Sequence, residues 1–319
     1  KIQAGQILKI RFWGVRGSIP TPLTPQQIQA KISAVIQRIN VNDIASPDAR
    51  ERFISNLPDW ILGTTGGNTP CMEVRGNGGE EIVLDAGTGI RGLGKSPNLP
   101  KDKHYHLFLS HYHWDHIQGL PFFDPVYDSD TIIDLYSPKE NGKDYLVFQQ
   151  QNPFFPVDFD QLTKNFNFHT VKSGEEIKIG GISVNSCEMT HPGGSQTYSF
   201  TENGKKFVYA TDIELSQKDF SSTPEHEKVF RNADCIVIDS QYTVEESYKK
   251  VNWGHSAFCY AIDFAVNWGI KKLFLFHHDP MYDDKKLNSI LLSAKWYAEY
   301  IIHSDLEIHL AMENYEFEI

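Results

Sequence analysis

Residues 111–116 read HYHWDH, three histidines and an aspartate in six positions of a chain with 13 histidines in 319 residues. Imidazole nitrogens and carboxylate oxygens are donors for a divalent ion of the zinc type, and they also suit manganese or iron. On an extended loop His111 and His113 project the same way and can share one ion. Asp115 and His116, just beyond, can turn toward a second ion a few Å away. Four donors do not fill two sites, so further ligands are expected at strand ends downstream. Three residues occupy such places: His191 in MTHPGG, Asp212 closing FVYATD and His277 directly after LFLF. Taken alone, His191 is an ordinary loop histidine, and Asp212 with Glu214 near it could cap a helix. Their common place at strand ends, in company with the cluster, favours ligation. His278 competes with His277. The register favours His277 and leaves His278 behind the ligands or facing substrate.

These residues need a framework of strands. Residues 7–13, ILKIRFW, alternate and read as a strand ending at Gly14. Residues 26–56 carry Ile28, Ile32, Val35, Ile36 and Ile39 at helical spacing, with a break at Pro47. GTTGGNT at 63–69 is a glycine-rich turn, and CMEVRG then pairs with the strand at 81–85 across the NGG turn at 77–79. LFLS at 107–110 delivers the histidine loop. Further strands are expected at 132–136, 177–187, 197–202, 206–210, 235–239 and 272–276, with helices at 256–268 and 285–302. The pattern predicts a layered α/β protein with its site at strand ends.

With 40% hydrophobic residues the chain can bury one large core. Its net charge is −11, and its lysines occur as short pairs such as Lys249/Lys250, Lys271/Lys272 and Lys285/Lys286. No basic stripe is present to hold a long polyanion, so a long nucleic acid is not an expected partner. An anionic substrate must be met locally, by metal ions or a few donors. Cys71, Cys187, Cys235 and Cys259 are widely spaced, without a CxxC pair, and read as buried thiols of a reducing compartment. No run approaches the roughly 18 apolar residues of a membrane span, and none reads as a signal peptide. A cytoplasmic protein without membrane contact is expected.

SHYHWDH, preceded by LDAGTG and followed by the strand-end His191, Asp212 and His277, resembles the metallo-β-lactamase fold superfamily over nearly the whole chain. An aspartate at the fourth motif, without serine β-lactamase motifs, resembles the phosphodiesterase and ribonuclease Z branch. FWGVRGSIPTP, GGNTPCMEV, HWDHIQGLPFF and LFLFHHDP resemble a bacterial subgroup that includes cyclic-nucleotide-type phosphodiesterases. The resemblance implies a four-layer αββα sandwich, a single domain over 1–319 with a helical insertion at 20–62. It implies that His111, His113 and His191 bind one zinc, that Asp115, His116 and His277 bind the other, and that Asp212 bridges them. It implies that Asp85 supports a ligand histidine by hydrogen bonding. His255 in WGHS corresponds to a histidine that assists catalysis in ribonuclease Z relatives, as general acid or oxyanion donor; Ser256 is read as the N-cap of the next helix.

The chain departs from ribonuclease Z in two places. DSQYT at 239–243 stands where those enzymes carry a HEAT box, so Asp239 is expected to support His255, and no Gly/Pro-rich arm for a tRNA elbow is visible. The expected activity is therefore that of a dinuclear-metal phosphodiesterase on a small diester, a 3′,5′-cyclic nucleotide first. A metal-bridging hydroxide would be its nucleophile and Asp115 and His255 its catalytic side chains. The alternatives are a ribonuclease Z-like nuclease, a hydrolase of a lactone or thioester, and a metal-retaining sensor. The insertion is read as a lid, as the contact of a homodimer or, equally, as an add-on with no role in selection, its apolar stripe buried against the body or a second subunit. Arg16, Ser18, Thr65 and Asn68 flank it and could contact phosphate or ribose.

Overall fold

The computed structural model describes residues 8–162 and 164–319, so Ile7 of the first expected strand lies outside the described residues. Strands follow the chain in two blocks. β1 (Lys9–Gly14), β2 (Cys71–Arg75), β3 (Glu81–Leu84), β4 (His104–Phe108), β5 (Ile132–Ser137) and β6 (Phe166–Thr170) make one sheet. β7 (Ile177–Ile179), β8 (Ile182–Met189), β9 (Ser195–Glu202), β10 (Lys205–Ala210), β11 (Cys235–Asp239), β12 (Lys272–Phe276) and β13 (Glu307–Leu310) make the other. β14 (Glu316–Glu318) returns to the first sheet beside β1. In each sheet one half is antiparallel and the other parallel: β3 to β6 run parallel, as do β10 to β13. Parallel strands deliver their C-terminal ends to one edge, which is where α/β sheets build sites.

Three apolar layers define the stacking. Phe12, Phe108, Phe200, Phe207, Tyr209 and Phe276 fill the space between the sheets. On the outer face of the first sheet Leu107, Ile133 and Leu135 pack with Leu146 of the helix Gly142–Gln150. On the outer face of the second, Ile236, Ile238, Leu273 and Leu275 meet the helices Phe258–Asn267 and Asp284–Trp296. The result is the four-layer αββα sandwich that the resemblance implies. CIVID of β11 is buried at all five positions because both its faces are covered, which is why it reads as an unbroken apolar run. Each fully buried phenylalanine in the central layer is worth about 1.5–3 kcal/mol, so the frame is stiff.

Several boundaries differ from expectation. The strand expected at 177–187 is a hairpin, β7 and β8, turning at Gly180 with φ of 52°. The apolar positions shift phase across Gly180 and Gly181, from Ile177 and Ile179 to Ile182 and Val184, a signal that the expected single strand passed over. The helix expected from 256 begins at Phe258 with Ala257 at its N-cap, and Ser256 instead donates its hydroxyl to the Ile213 carbonyl. β6, β13 and β14, short or polar, were not anticipated. Residues 20–62 fold as helices Pro25–Ile36, Pro47–Ser55 and Asp59–Leu62. Thr24 and Gln27 form a capping box on the first, and Pro47 starts the second, which accounts for the break. The segment is tied to the body by Lys31, whose ammonium lies 2.7 Å from Asp284. Its apolar stripe is not buried within the chain: Ile28, Ile32, Ile36 and Ile39 are 47%, 56%, 65% and 37% exposed.

Candidate metal centre

The loops after β4, β8, β10 and β12 bring all seven expected ligands to one edge. Asp212 stands in the middle. Its Oδ2 lies 3.6 Å from His111 Nε2 and 3.7 Å from His191 Nε2, which is itself 3.0 Å from His113 Nδ1. Its Oδ1 lies 3.1 Å from His116 Nε2 and 3.2 Å from His277 Nε2, and Asp115 Oδ2 is 3.4 and 3.2 Å from the same two nitrogens. Donors bound tetrahedrally to an ion at about 2.0–2.1 Å stand roughly 3.3–3.4 Å apart. The separations in the two halves, from 3.0 to 3.7 Å, bracket that spacing, and each half gathers its ligand atoms within 4.8 Å.

The histidines are oriented from behind. His116 Nδ1 donates to Asp85 Oδ2 at 2.7 Å, His191 Nδ1 to the Gly254 carbonyl at 2.8 Å and His277 Nδ1 to Gln241 Oε1 at 3.0 Å. His111 Nδ1 is 3.0 Å from Ser110 Oγ, whose hydroxyl is 2.7 Å from Asp85 Oδ2. Each of these rings spends its Nδ1 proton on the support and turns Nε2 inward. His111 Nε2 is buried without a hydrogen-bond partner, as a nitrogen reserved for an ion would be. Asp85, Asp212 and His277 hold positive φ angles of 59°, 49° and 60° at the ends of their strands. Such backbone costs on the order of 1–3 kcal/mol per residue and persists where a site requires it. Glycines make room: a Cβ at Gly17 would stand 2.6 Å from the His277 ring, and one at Gly254, φ 87°, 2.1 Å from His191 Nδ1.

Electrostatics agree with the donor set. Burial pushes His111 well below its ordinary pKa, and His113 and His191 below theirs, which keeps them neutral. Burial also disfavours charge on His116, but Asp212, Asp115 and Asp85 together raise it well above the usual value. A carboxylate-rich pocket that draws a proton so strongly is suited to a cation. These protein groups fit a pair of divalent ions in donor type, spacing and charge.

Residues 80–278 match the family model described as a beta-lactamase superfamily domain. The chain belongs to this family. Ribonuclease Z of Archaeoglobus fulgidus is 24% identical over 289 residues, 74% of this chain and 91% of that protein. The metallo-beta-lactamase fold protein YhfI of Bacillus subtilis superposes with a TM-score of 0.65 at 14% identity, covering 99% of this chain and all of that one. A diphosphatase of the PhnP family does so at 0.62 and 15%, covering 98% of each.

Around this beta-lactamase superfamily cluster the remaining expected residues divide. His255 lines the cavity over the cluster, stacks on His277 at 4.9 Å and donates Nδ1–H to Asp239 Oδ2 at 2.6 Å. Burial opposes its charge, yet Asp239 and then Asp212 and Asp115 push its pKa up to about 9. Ser18 lines the same cavity, and its backbone N–H donates to Asp115 Oδ2 at 2.8 Å. Thr65, Asn68, Arg16 and His278 serve the frame. The Thr65 N–H meets Asp284, Asn68 is held by Glu313, and buried Arg16 donates to the Gly66 and Tyr282 carbonyls. His278 donates Nε2–H to the Ala311 carbonyl, and burial with Arg16 nearby lowers its pKa to about 3.

Sequence reasoning missed Ser110, Gln241 and Tyr209, whose hydroxyl donates to Asp85 at 2.7 Å. It also missed that Glu214 accepts the Asn252 and Gly254 N–H groups and so fixes the WGHS loop. Only Ser110, adjoining the histidine motif, carried a signal in the sequence. The cavity over the cluster, about 340 Å³, shares Tyr112 and Trp114 with an adjoining one of about 490 Å³ walled by Ile117, Tyr145, Phe148 and Phe154. Among the described residues, none of 20–62 lines either.

Proposed function

We propose that the protein is a metal-dependent phosphodiesterase for a small diester, a 3′,5′-cyclic nucleotide first, working through two divalent ions of the zinc type. The observation that carries this reading is the split of Asp212, one oxygen facing His111 and His191, the other His116 and His277. The first three histidines are assigned to one ion, Asp115, His116 and His277 to the second, and Asp212 to both. Two ions held there would supply Lewis acidity toward a phosphoryl group and lower the pKa of water. The protein's own part follows from its geometry. Asp115, fixed by the Ser18 N–H, aligns the attacking water by accepting its hydrogen bond. His255, protonated and held through Nδ1 by Asp239, gives its Nε2 proton to the leaving oxygen. Asp85 keeps His116 in the tautomer that ligates.

The relatives support phosphoester chemistry, being described as a ribonuclease Z and a diphosphatase. The two substrate readings part over size. The aromatic cavity beside the cluster suits one planar base, and the net charge of −11 disfavours a folded RNA. The extent of the ribonuclease Z match favours a nuclease as the second reading. Incubation with cyclic AMP, precursor tRNA and bis-p-nitrophenyl phosphate decides. Turnover of the first and third without tRNA cleavage is expected. Specific tRNA cleavage without cyclic AMP turnover would establish the nuclease, and hydrolysis of lactones or thioesters alone would remove phosphate from the reading.

The whole chain is read as one hydrolase domain carrying 20–62 as an insertion, and the exposed isoleucine stripe is assigned to a second copy of the chain. The four cysteines are buried and free, which suits a reducing compartment and supports the reading of a cytoplasmic protein. Among the described residues no helix is long and apolar enough to cross a membrane.

A further inference from the structure

A second group of histidines lies at the other end of β4. His104 and His106 alternate with buried Tyr105 and Leu107, so both imidazoles stand on one face of the strand. Asp134 of β5 is the cross-strand neighbour of His106. His104 Nε2 lies 2.6 Å and His106 Nδ1 3.7 Å from the same oxygen, Asp134 Oδ2, and the two rings are 4.5 Å apart. The three ligand atoms fall within 4.8 Å of one another. The other oxygen of Asp134 is held from β6, by His169 Nε2 at 2.8 Å and Asn167 Nδ2 at 3.0 Å. His106 and His111 are five residues apart, so the group lies up to roughly 16 Å from the first cluster along the strand direction. None of its residues serves the chemistry above.

Two imidazoles and one carboxylate on a single face, with open positions toward solvent, are a donor set for a divalent transition ion. The side chains are 34%, 14% and 15% exposed, enough for the ion to enter and for water to complete its shell. Ordinary packing does not require three histidines around one carboxylate that, among the described residues, has no lysine or arginine bonded to it. The support of Asp134 through its second oxygen is the arrangement that orients a ligating carboxylate. Burial raises the Asp134 pKa, but hydrogen bonds from His169, His104 and Asn167 bring it down to about 2, so it remains an anion at neutral pH. Ligation asks for donor separations of roughly 3.3 Å. The 2.6 Å contact must open and the 3.7 Å contact close, each by less than 1 Å, a shift within the reach of side-chain rotation at partly exposed rings.

We propose that His104, His106 and Asp134 form a separate binding site for a single divalent ion of the zinc type, with His169 and Asn167 positioning the carboxylate. The ion clamps β4 to β5 at the end of the sandwich remote from the catalytic cavity.

The test uses the full chain, depleted of metal and equilibrated with zinc. Zinc retained after desalting is counted in the wild type, His104→Gln and His106→Gln, and crystals soaked in zinc are measured for anomalous scattering. One equivalent should be lost in each variant, diester turnover should stay within twofold of wild type, and an anomalous peak should lie between His104, His106 and Asp134. Equal zinc counts in all three proteins, or no peak at that place, would overturn the proposal. Both variants should unfold in chelator at the wild-type temperature. His104, the more exposed of the two, provides the reading if His106→Gln does not fold.

Discussion

The strand-end loops and the insertion at 20–62 are built on opposite terms. In the loops the clustered side chains are supported from within the chain: Asp85 alone accepts from Ser110, His116 and Tyr209. In the insertion neither long helix has a buried residue, and its largest apolar side chains face outward. Costly backbone at Asp85, Asp212 and His277 is tolerated because several partners hold each side chain. Among the described residues the long helices of the insertion are held by their caps and by the ion pair of Lys31 with Asp284, while buried Leu57 and Ile61 and the Lys285 ammonium over the Trp60 ring anchor its C-terminal end. The difference separates a region whose geometry is self-determined from one that gains its reason from something outside the protomer.

The contrast is tested most severely at Asp212. Asp212→Ala removes the carboxylate that lies against both halves of the cluster and that the proposal assigns to both ions. Metal content should fall and diester turnover should drop by roughly 10³-fold or more, the equivalent of losing several kcal/mol of charge stabilisation. Metal analysis and a circular dichroism spectrum check that the loss is of ions and not of fold; full metal content with full activity would dismantle the site as described. Next in size is His255→Ala. Turnover of a diester with a poor leaving group should fall by roughly 10²–10⁴-fold, while a p-nitrophenyl diester, whose leaving group needs little protonation, is spared. Equal losses on both would make His255 a positioning residue.

The two regions were also unequally legible in the sequence. HYHWDH announces itself because three imidazoles at that spacing have few other uses. His191, Asp212 and His277 could be sought because parallel strands must end somewhere in common. Tyr209 and Gln241 act only through distances that no spacing encodes. Thr65 and Asn68, polar loop residues beside the motif, looked like substrate contacts and instead satisfy Asp284 and Glu313. In the insertion, periodicity placed the helices and their break at Pro47, and of the two covers expected for the apolar face the structure removes the body of the same chain. A 3.6-residue repeat states that a face is apolar and leaves open what covers it.

A smaller effect is expected behind the ligands. Asp85→Asn keeps the shape but cannot serve Ser110, His116 and Tyr209 together, because one oxygen becomes a donor. Metal affinity should weaken by roughly 10–100-fold, with activity recovered at high metal concentration. Titration of metal-depleted protein followed by activity measures this. A wild-type affinity would mean that Asp85 serves folding alone.

The smallest effect on catalysis belongs to the insertion, and there the expected change is in assembly. Ile32 and Ile36 are 56% and 65% exposed, one helical turn apart, on a helix with no buried residue. If a second copy covers them, replacing both with aspartate places charges in an apolar contact, which strongly disfavours association. The double variant Ile32→Asp/Ile36→Asp should sediment as a monomer at concentrations where the wild type sediments as a dimer. Each chain should retain its metal and stay within twofold of wild-type turnover of cyclic AMP, because no residue of 20–62 lines the cavity. A wild type that is already monomeric would remove the second copy as the partner. A change in substrate ranking on dissociation would instead return the segment to the role of a lid, reaching the site across the dimer.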